Sequence, residues 1–228
     1  MGYIFTSIRA LLKRQKGGLE SDGERVDIVY DKTMDFVSSN MYEQSHYRRY
    51  EFARGLLENG WICGDFACGT GYGSMMLAEK AQHVIGIDLN GRVIKQIAKR
   101  YAFQPKVAFK AGNLLNLDFS SYFDAIVSFE TLEHFDEQNI MRLLMIYHHA
   151  LKPKGMLIFS TPFMQEASPA ALKMGFHKTF LINETKIRGW LQRTDFTIRD
   201  FHYQDYKTHT VVAAMEKPDF IIGTAVRT

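Results

Sequence analysis

The chain has 228 residues, 46% of them hydrophobic, which suits the core of one α/β domain and is a tight fit for two. Its 28 basic and 25 acidic side chains leave a formal charge of +3, too even for a nucleic-acid footprint, so no nucleic-acid partner is expected. Cys63 and Cys68 are the only cysteines; they match no zinc-knuckle spacing and exclude a disulfide framework, so they read as reduced thiols of a cytoplasmic protein and no metal ligands are expected.

Residues 1–25 read as an N-terminal tail. Within it Ile4, Phe5, Ile8, Leu11 and Leu12 recur at roughly helical spacing among Arg9, Lys13, Arg14 and Lys16, a pattern suited to weak contact with an anionic membrane surface, and Gly17-Gly18 ends it. No run of eighteen apolar residues appears, and no secretory leader is expected from the residues at the start. Residues 26–228 read as a single domain with a helical cap at 40–60, a ligand-binding core at 61–162 and an acceptor-side region at 163–228.

In the cap, apolar and aromatic residues recur at helical spacing over 42–57 and stop at Glu58-Asn59-Gly60. Strands are predicted at 61–67, 83–88, 106–110, 123–129 and 156–160, with helices at 74–80, 92–101 and 139–151 between them. Lys152-Pro153-Lys154-Gly155 breaks the last of these helices. Residues 163–178 read as loop with a short helix, 183–192 as an amphipathic helix, and 196–203 and 210–216 as two final strands. The alternation predicts a doubly wound, mostly parallel, seven-stranded Rossmann-like α/β sheet with helices on both faces and an antiparallel edge strand.

Chemistry concentrates where the first strand ends. Gly69, Gly71 and Gly73 follow it, and bare backbone there permits positive φ and close approach to a ligand. Asp88 ends the second strand, nineteen residues after Gly69, where a carboxylate can accept the hydroxyl hydrogens of an unphosphorylated ribose. A dinucleotide fingerprint would read G-x-G-x-x-G; here the spacing is G-x-G-x-G and Asp65 precedes it, a carboxylate that would repel a pyrophosphate. Asp65 suits a ligand carrying an ammonium and a sulfonium.

Five segments in order resemble the class I S-adenosylmethionine-dependent methyltransferases over roughly residues 40–162. They are Asp65 to Gly73, Val84 to Asp88, Ala111-Gly112-Asn113-Leu114, Ser128 to Phe135, and Leu151 to Gly155 followed by Ser160-Thr161-Pro162. The resemblance implies S-adenosylmethionine as cofactor, held by Asp65, Ala67, Gly69, Gly71, Tyr72, Asp88, Leu89, Asn113, Leu114 and Glu130. Asn113 stands where the family usually has Asp, and its amide can still bond the adenine edge. Among subgroups the chain is similar to the ubiquinone-type and cell-envelope glycan O-methyltransferases. Glu43, His46, Arg49 and Tyr50 resemble a cofactor-capping helix of the latter, which adds His46 and Arg49 to the cofactor site.

The implied activity is O-methylation of a small molecule or saccharide; a quinone-precursor phenol or other lipid-like acceptor is the alternative. Methyl transfer from a sulfonium needs a base only when the acceptor proton is held tightly. His134, just past the fourth strand, is the leading candidate, with Glu130 beside the acceptor and His177 in the covering segment. Phe201, His202, Tyr203 and Tyr206 form a candidate acceptor lining. Two rival functions are a nicotinamide-dependent reductase, disfavoured by the glycine spacing, and a non-catalytic cofactor-binding subunit, disfavoured by the intact loop and Asp88. No motif specifies an oligomeric state.

Overall fold

The computed structural model describes residues 26, 28, 30 and 40–228. The tail at 1–25, with its amphipathic pattern, lies outside the described residues. Helix α1, Met41–Leu56, starts on a capping box: the Asn40 side chain accepts the amides of Tyr42 and Glu43 at 2.9 and 3.0 Å, and Glu43 reaches back to the Asn40 amide at 3.1 Å. Glu43 is therefore a capping residue, and Tyr50 and Ala53 of this helix are buried.

Chain order then gives β1 (Ile62–Phe66), α2 (Tyr72–Leu77), β2 (His83–Asp88), α3 (Gly91–Arg100), β3 (Val107–Ala111), β4 (Phe123–Phe129), α4 (Glu137–Ala150), β5 (Leu151–Pro162), α5 (Pro169–Met174), α6 (Glu184–Gln192), β6 (Phe196–Gln204) and β7 (Phe220–Arg227), with 3₁₀ turns at Leu114–Asn116 and Leu132–His134. The sheet order is β3-β2-β1-β4-β5-β7-β6, parallel from β3 to β5. The antiparallel strand β7 pairs with β5 on one side and with β6 on the other. This is the expected mostly parallel, doubly wound sheet.

Both faces are covered, because consecutive residues of a strand point to opposite sides. Phe123, Ile126, Leu157 and Phe159 pack with Leu143, Leu144 and Tyr147 of α4 and Trp190 of α6. Val84, Ala125, Val127 and Ile158 face the other way, toward Tyr50 and Ala53 of α1 and Met76 and Leu77 of α2. No helix among the described residues is long and apolar enough to cross a membrane.

Two elements differ from expectation: β5 begins at Leu151, where it pairs with Phe123, rather than at 156, and the final strand is displaced. Residues 210–216 form no strand; only Val212 bridges to Tyr203, exchanging backbone bonds of 2.8 and 2.9 Å. The last strand lies beyond Lys217-Pro218, where Phe220, Ile221, Ile222 and Ala225 supply the largely apolar run that a strand buried on both faces requires. Gly223 interrupts that run because a Cβ there would sit 2.2 Å from the Phe159 ring on neighbouring β5.

Candidate functional site

Ligands of open α/β sheets bind beyond the carboxyl ends of the parallel strands. Here that edge gathers the turn after β1, the ends of β2 and β3, the end of β4 with its 3₁₀ turn, and the 163–183 segment. The first turn is tight. Ala67 and Gly69 both have positive φ, the Cys68 amide donates to the Ile87 carbonyl at 3.0 Å, and Gly71 caps α2 in the left-handed conformation at φ 77°.

The three glycines are present for different reasons. A Cβ on Gly71 would meet the Phe109 ring at 2.8 Å, and one on Gly73 would meet the Tyr50 ring at 2.1 Å. Only at Gly69, φ 54°, would it meet nothing within 4 Å. The need for bare backbone is thus internal packing and turn geometry at Gly71 and Gly73, and open space adjoins Gly69.

Asp65 is fully buried. Its two oxygens accept the Tyr50 hydroxyl at 2.9 Å and the Ser74 hydroxyl at 2.6 Å, which ties α1 and α2 to the end of β1. Burial pushes its carboxyl up to about 6, against the opposing pull of those two donors. Tyr72 is also buried, edge-on to Tyr50 with ring centroids 5.2 Å apart, and burial raises its hydroxyl pKa.

At the next strand end Asp88, 5% exposed, accepts the Gly69 amide at 3.0 Å on one oxygen and the Asn90 amide at 2.9 Å on the other. Leu89 follows, 73% exposed. The register pairs Asp88 with Ala111, so Asn113 and buried Leu114 stand beside it; the Asn113 side chain caps the 3₁₀ turn through the Leu115 amide at 2.9 Å.

From α1 comes Arg49, fully buried. One terminal nitrogen donates to Glu130 Oε1 at 3.1 Å, the same oxygen that accepts the Ser160 hydroxyl at 2.7 Å, and the guanidinium lies 4.2 Å from the centre of the Phe220 ring. Its Nε and Nη2 have no hydrogen-bond partner among the described residues. A buried guanidinium with two such donors is set to receive an anionic group. His46, one turn earlier, is pushed well below the usual imidazole range by burial and then by Arg49.

Glu130 and His134 turn to different partners. His134 Nδ1 lies 3.0 Å from the Phe176 carbonyl oxygen, and its ring meets that of His177 edge to face at 5.2 Å. The structure therefore unites His134 with His177 and unites Glu130 with Arg49. Between them Glu133, buried, accepts the Thr161 hydroxyl at 3.1 Å. Of the residues that orient these groups, Ser160 and Thr161 fall in the Ser160-Thr161-Pro162 segment, whereas Ser74 and Phe220 carry no motif. The aromatic group at the end of β6 is not one lining: Phe201 and Tyr203 pack against the α4 face while the His202 ring lies tilted against Phe52, centroids 4.7 Å apart, as strand alternation demands.

Residues 64–155 match the family model described as a methyltransferase domain. Over this stretch the chain is similar to the class I, Rossmann-like S-adenosylmethionine-dependent methyltransferases. The chain is 28% identical over 135 residues to a Mycolicibacterium smegmatis protein named "Probable S-adenosylmethionine-dependent methyltransferase", covering 58% of this chain and 51% of the relative. It is 28% identical over 132 residues to the malonyl-[acyl-carrier protein] O-methyltransferase of Priestia megaterium, covering 57% of this chain and 47% of that one. The chain thus spans about half the length of these curated relatives. In fold it is similar to the N-methyltransferase NodS of Bradyrhizobium japonicum, crystallised with S-adenosylhomocysteine, with a TM-score of 0.61 and 18% identity over 84% of this chain and 90% of NodS.

Proposed function

We propose that this chain transfers a methyl group from S-adenosylmethionine to a hydroxyl of a small molecule or saccharide. The observation that carries the cofactor reading is Arg49, whose buried Nε and Nη2 lack partners among the described residues. Leaving such donors unsatisfied is costly, and the carboxylate of the cofactor's methionine moiety is an anion of the right size and charge to engage them. The remaining residues fit the same ligand. Asp88 accepts the ribose hydroxyls, the Gly69 backbone adjoins the chain between ribose and sulfur, and exposed Leu89 with Asn113 and Leu114 bounds the adenine. Glu130 faces the ammonium, while Ala67, Tyr72, Gly71 and His46 complete the walls.

In this reading Asp65 acts at one remove. Its two hydrogen bonds hold Tyr50 and Ser74, and through them the helix that carries Arg49, so it is a positioning residue.

The cofactor supplies an activated methyl group on a good leaving group, so the chain's own task is alignment and exclusion of water. Arg49, Glu130 and Asp88 fix the donor at the strand ends. His134, and His177 of the 163–183 segment, flank the acceptor. A phenol or lipid-like hydroxyl would use the same geometry. The O-methyltransferase name of the Priestia relative supports oxygen as the acceptor atom. The nicotinamide alternative is disfavoured because antiparallel β7 inserted between β5 and β6 departs from the dinucleotide sheet order 3-2-1-4-5-6.

The reading is tested by incubating the full chain with methyl-labelled S-adenosylmethionine and a panel of phenols, saccharides, amines and carboxylic acids, with mass spectrometry of the products. A methyl ether is expected. A methylated amine as the product would replace the O-methylation reading.

A further inference from the structure

The methyl-transfer reading leaves unused much of the chemistry in one cluster. Glu133 and His134, on the turn after β4, and His177, in the loop after α5, each bring a ligand atom within 4.8 Å of the other two. We infer that these three residues hold a divalent first-row transition cation beside the acceptor, against the expectation from sequence that the chain has no metal ligands.

The environment of the two histidines carries the inference first. Metal-ligating imidazoles donate their second ring N–H to an oxygen acceptor, which fixes tautomer and orientation. His134 Nδ1 is 3.0 Å from the Phe176 carbonyl oxygen and His177 Nδ1 is 2.6 Å from Gln165 Oε1. Both acceptors are oxygens, so Nδ1 carries the hydrogen in each ring and Nε2 is the nitrogen with a lone pair.

The carboxylate is fixed in the same way. Glu133 is 1% exposed, and Oε2 accepts the Thr161 hydroxyl at 3.1 Å. Burying a carboxylate is expensive, and a cation alongside offsets that cost.

Backbone bonds also hold the two segments together. The Glu133 carbonyl accepts the amides of Lys178 and Thr179 at 2.7 and 3.1 Å, and the Thr179 hydroxyl donates to the Phe135 carbonyl at 2.6 Å. His177 is thus clamped against His134 although forty-two residues lie between them in sequence, the kind of support that keeps a ligand set in place.

Two imidazoles and one carboxylate favour zinc, iron, manganese or cobalt over magnesium and calcium, which prefer all-oxygen sites. Three protein ligands leave coordination positions open, as in catalytic rather than structural centres. Metal–ligand bonds of about 2.0 to 2.2 Å put ligand atoms at most about 4.4 Å apart, close to the 4.8 Å within which these three already lie. The use of such a cation rests on the methyl-transfer reading, though the site itself does not. A coordinated acceptor hydroxyl is more acidic; its proton passes to solvent, its oxygen bonds the methyl carbon, and the carbon–sulfur bond breaks with its electrons left on sulfur.

The test uses untagged full-length protein, stripped of metals with a chelator and titrated with Co²⁺ alone. Visible absorption follows ligation, and calorimetry with S-adenosylhomocysteine is run in parallel. One equivalent of Co²⁺ is expected, with affinity at least tenfold lower in Glu133→Gln and in His177→Ala while S-adenosylhomocysteine affinity stays within threefold. Glu133→Gln preserves shape and the Thr161 contact, so it remains informative should His177→Ala loosen the loop. Equal Co²⁺ affinity in native protein and both variants would overturn the inference and leave the cluster as a hydrogen-bonded clasp. Loss of metal binding alone spares the cofactor reading, and loss of S-adenosylhomocysteine binding alone spares the metal site.

Discussion

The Gly69 amide donates to Asp88 Oδ2 at 3.0 Å, so the glycine turn after β1 and the carboxylate ending β2 form one rigid piece. That link gives the carboxylate two tasks, holding the turn and receiving ribose. Asp88→Ala should therefore raise the dissociation constant for S-adenosylhomocysteine about tenfold or more and also lower stability by about 1–3 kcal/mol. Calorimetry and urea unfolding on the same variant read the two effects separately, and a change in affinity below about threefold would place the ribose elsewhere.

Gly71→Val should act on the fold. A left-handed φ costs a β-branched residue of order 1–3 kcal/mol, and the Phe109 ring 2.8 Å from the added Cβ adds to it. A clear drop in the denaturation midpoint is expected. A variant as stable as the native protein would show that the turn can adopt another conformation.

Arg49→Met should weaken S-adenosylhomocysteine binding more than tenfold while leaving 5′-methylthioadenosine, which lacks the amino-acid tail, within threefold. Equal losses for the two ligands would mean that Arg49 shapes the pocket rather than binds a carboxylate.

Asp65 sets a pH dependence of stability. Its carboxyl, ordinarily near 3.8, titrates at about 6 in the folded chain because burial disfavours the charged form. The folded state then holds a proton that the unfolded state has lost, so stability falls as pH rises between these values, by roughly 3 kcal/mol in all. Asp65→Asn removes this titration. Unfolding curves of native and variant protein should differ progressively from pH 4 to pH 6 and run parallel above it; parallel curves throughout would contradict the buried acid.

Much of the fold was legible because its signals are local. The strands ending in Asp88 and Phe129 are short segments built on apolar centres, Val84 to Ile87 and Ala125 to Val127, and their limits match expectation. The final strand was misplaced because residues 210–216 are apolar enough for a strand, whereas the run from Phe220 is broken by Gly223, whose purpose, making room for the Phe159 ring, is visible only across the sheet. The candidate site divides similarly. The glycine turn and Asp88 stand at fixed spacing on one βαβ unit. The approach of His177 to Glu133 and His134 depends on backbone bonds from a segment without periodicity. Asp65 was read as facing the ligand, yet Tyr50 and Ser74 occupy both its oxygens, partners that no spacing rule pairs with it.

Calorimetric titration of the native chain with S-adenosylhomocysteine, with NAD as the control, tests the central claim most directly. Saturable one-to-one binding of S-adenosylhomocysteine and no heat from NAD is the predicted result. Binding of NAD, with none of S-adenosylhomocysteine, would contradict it.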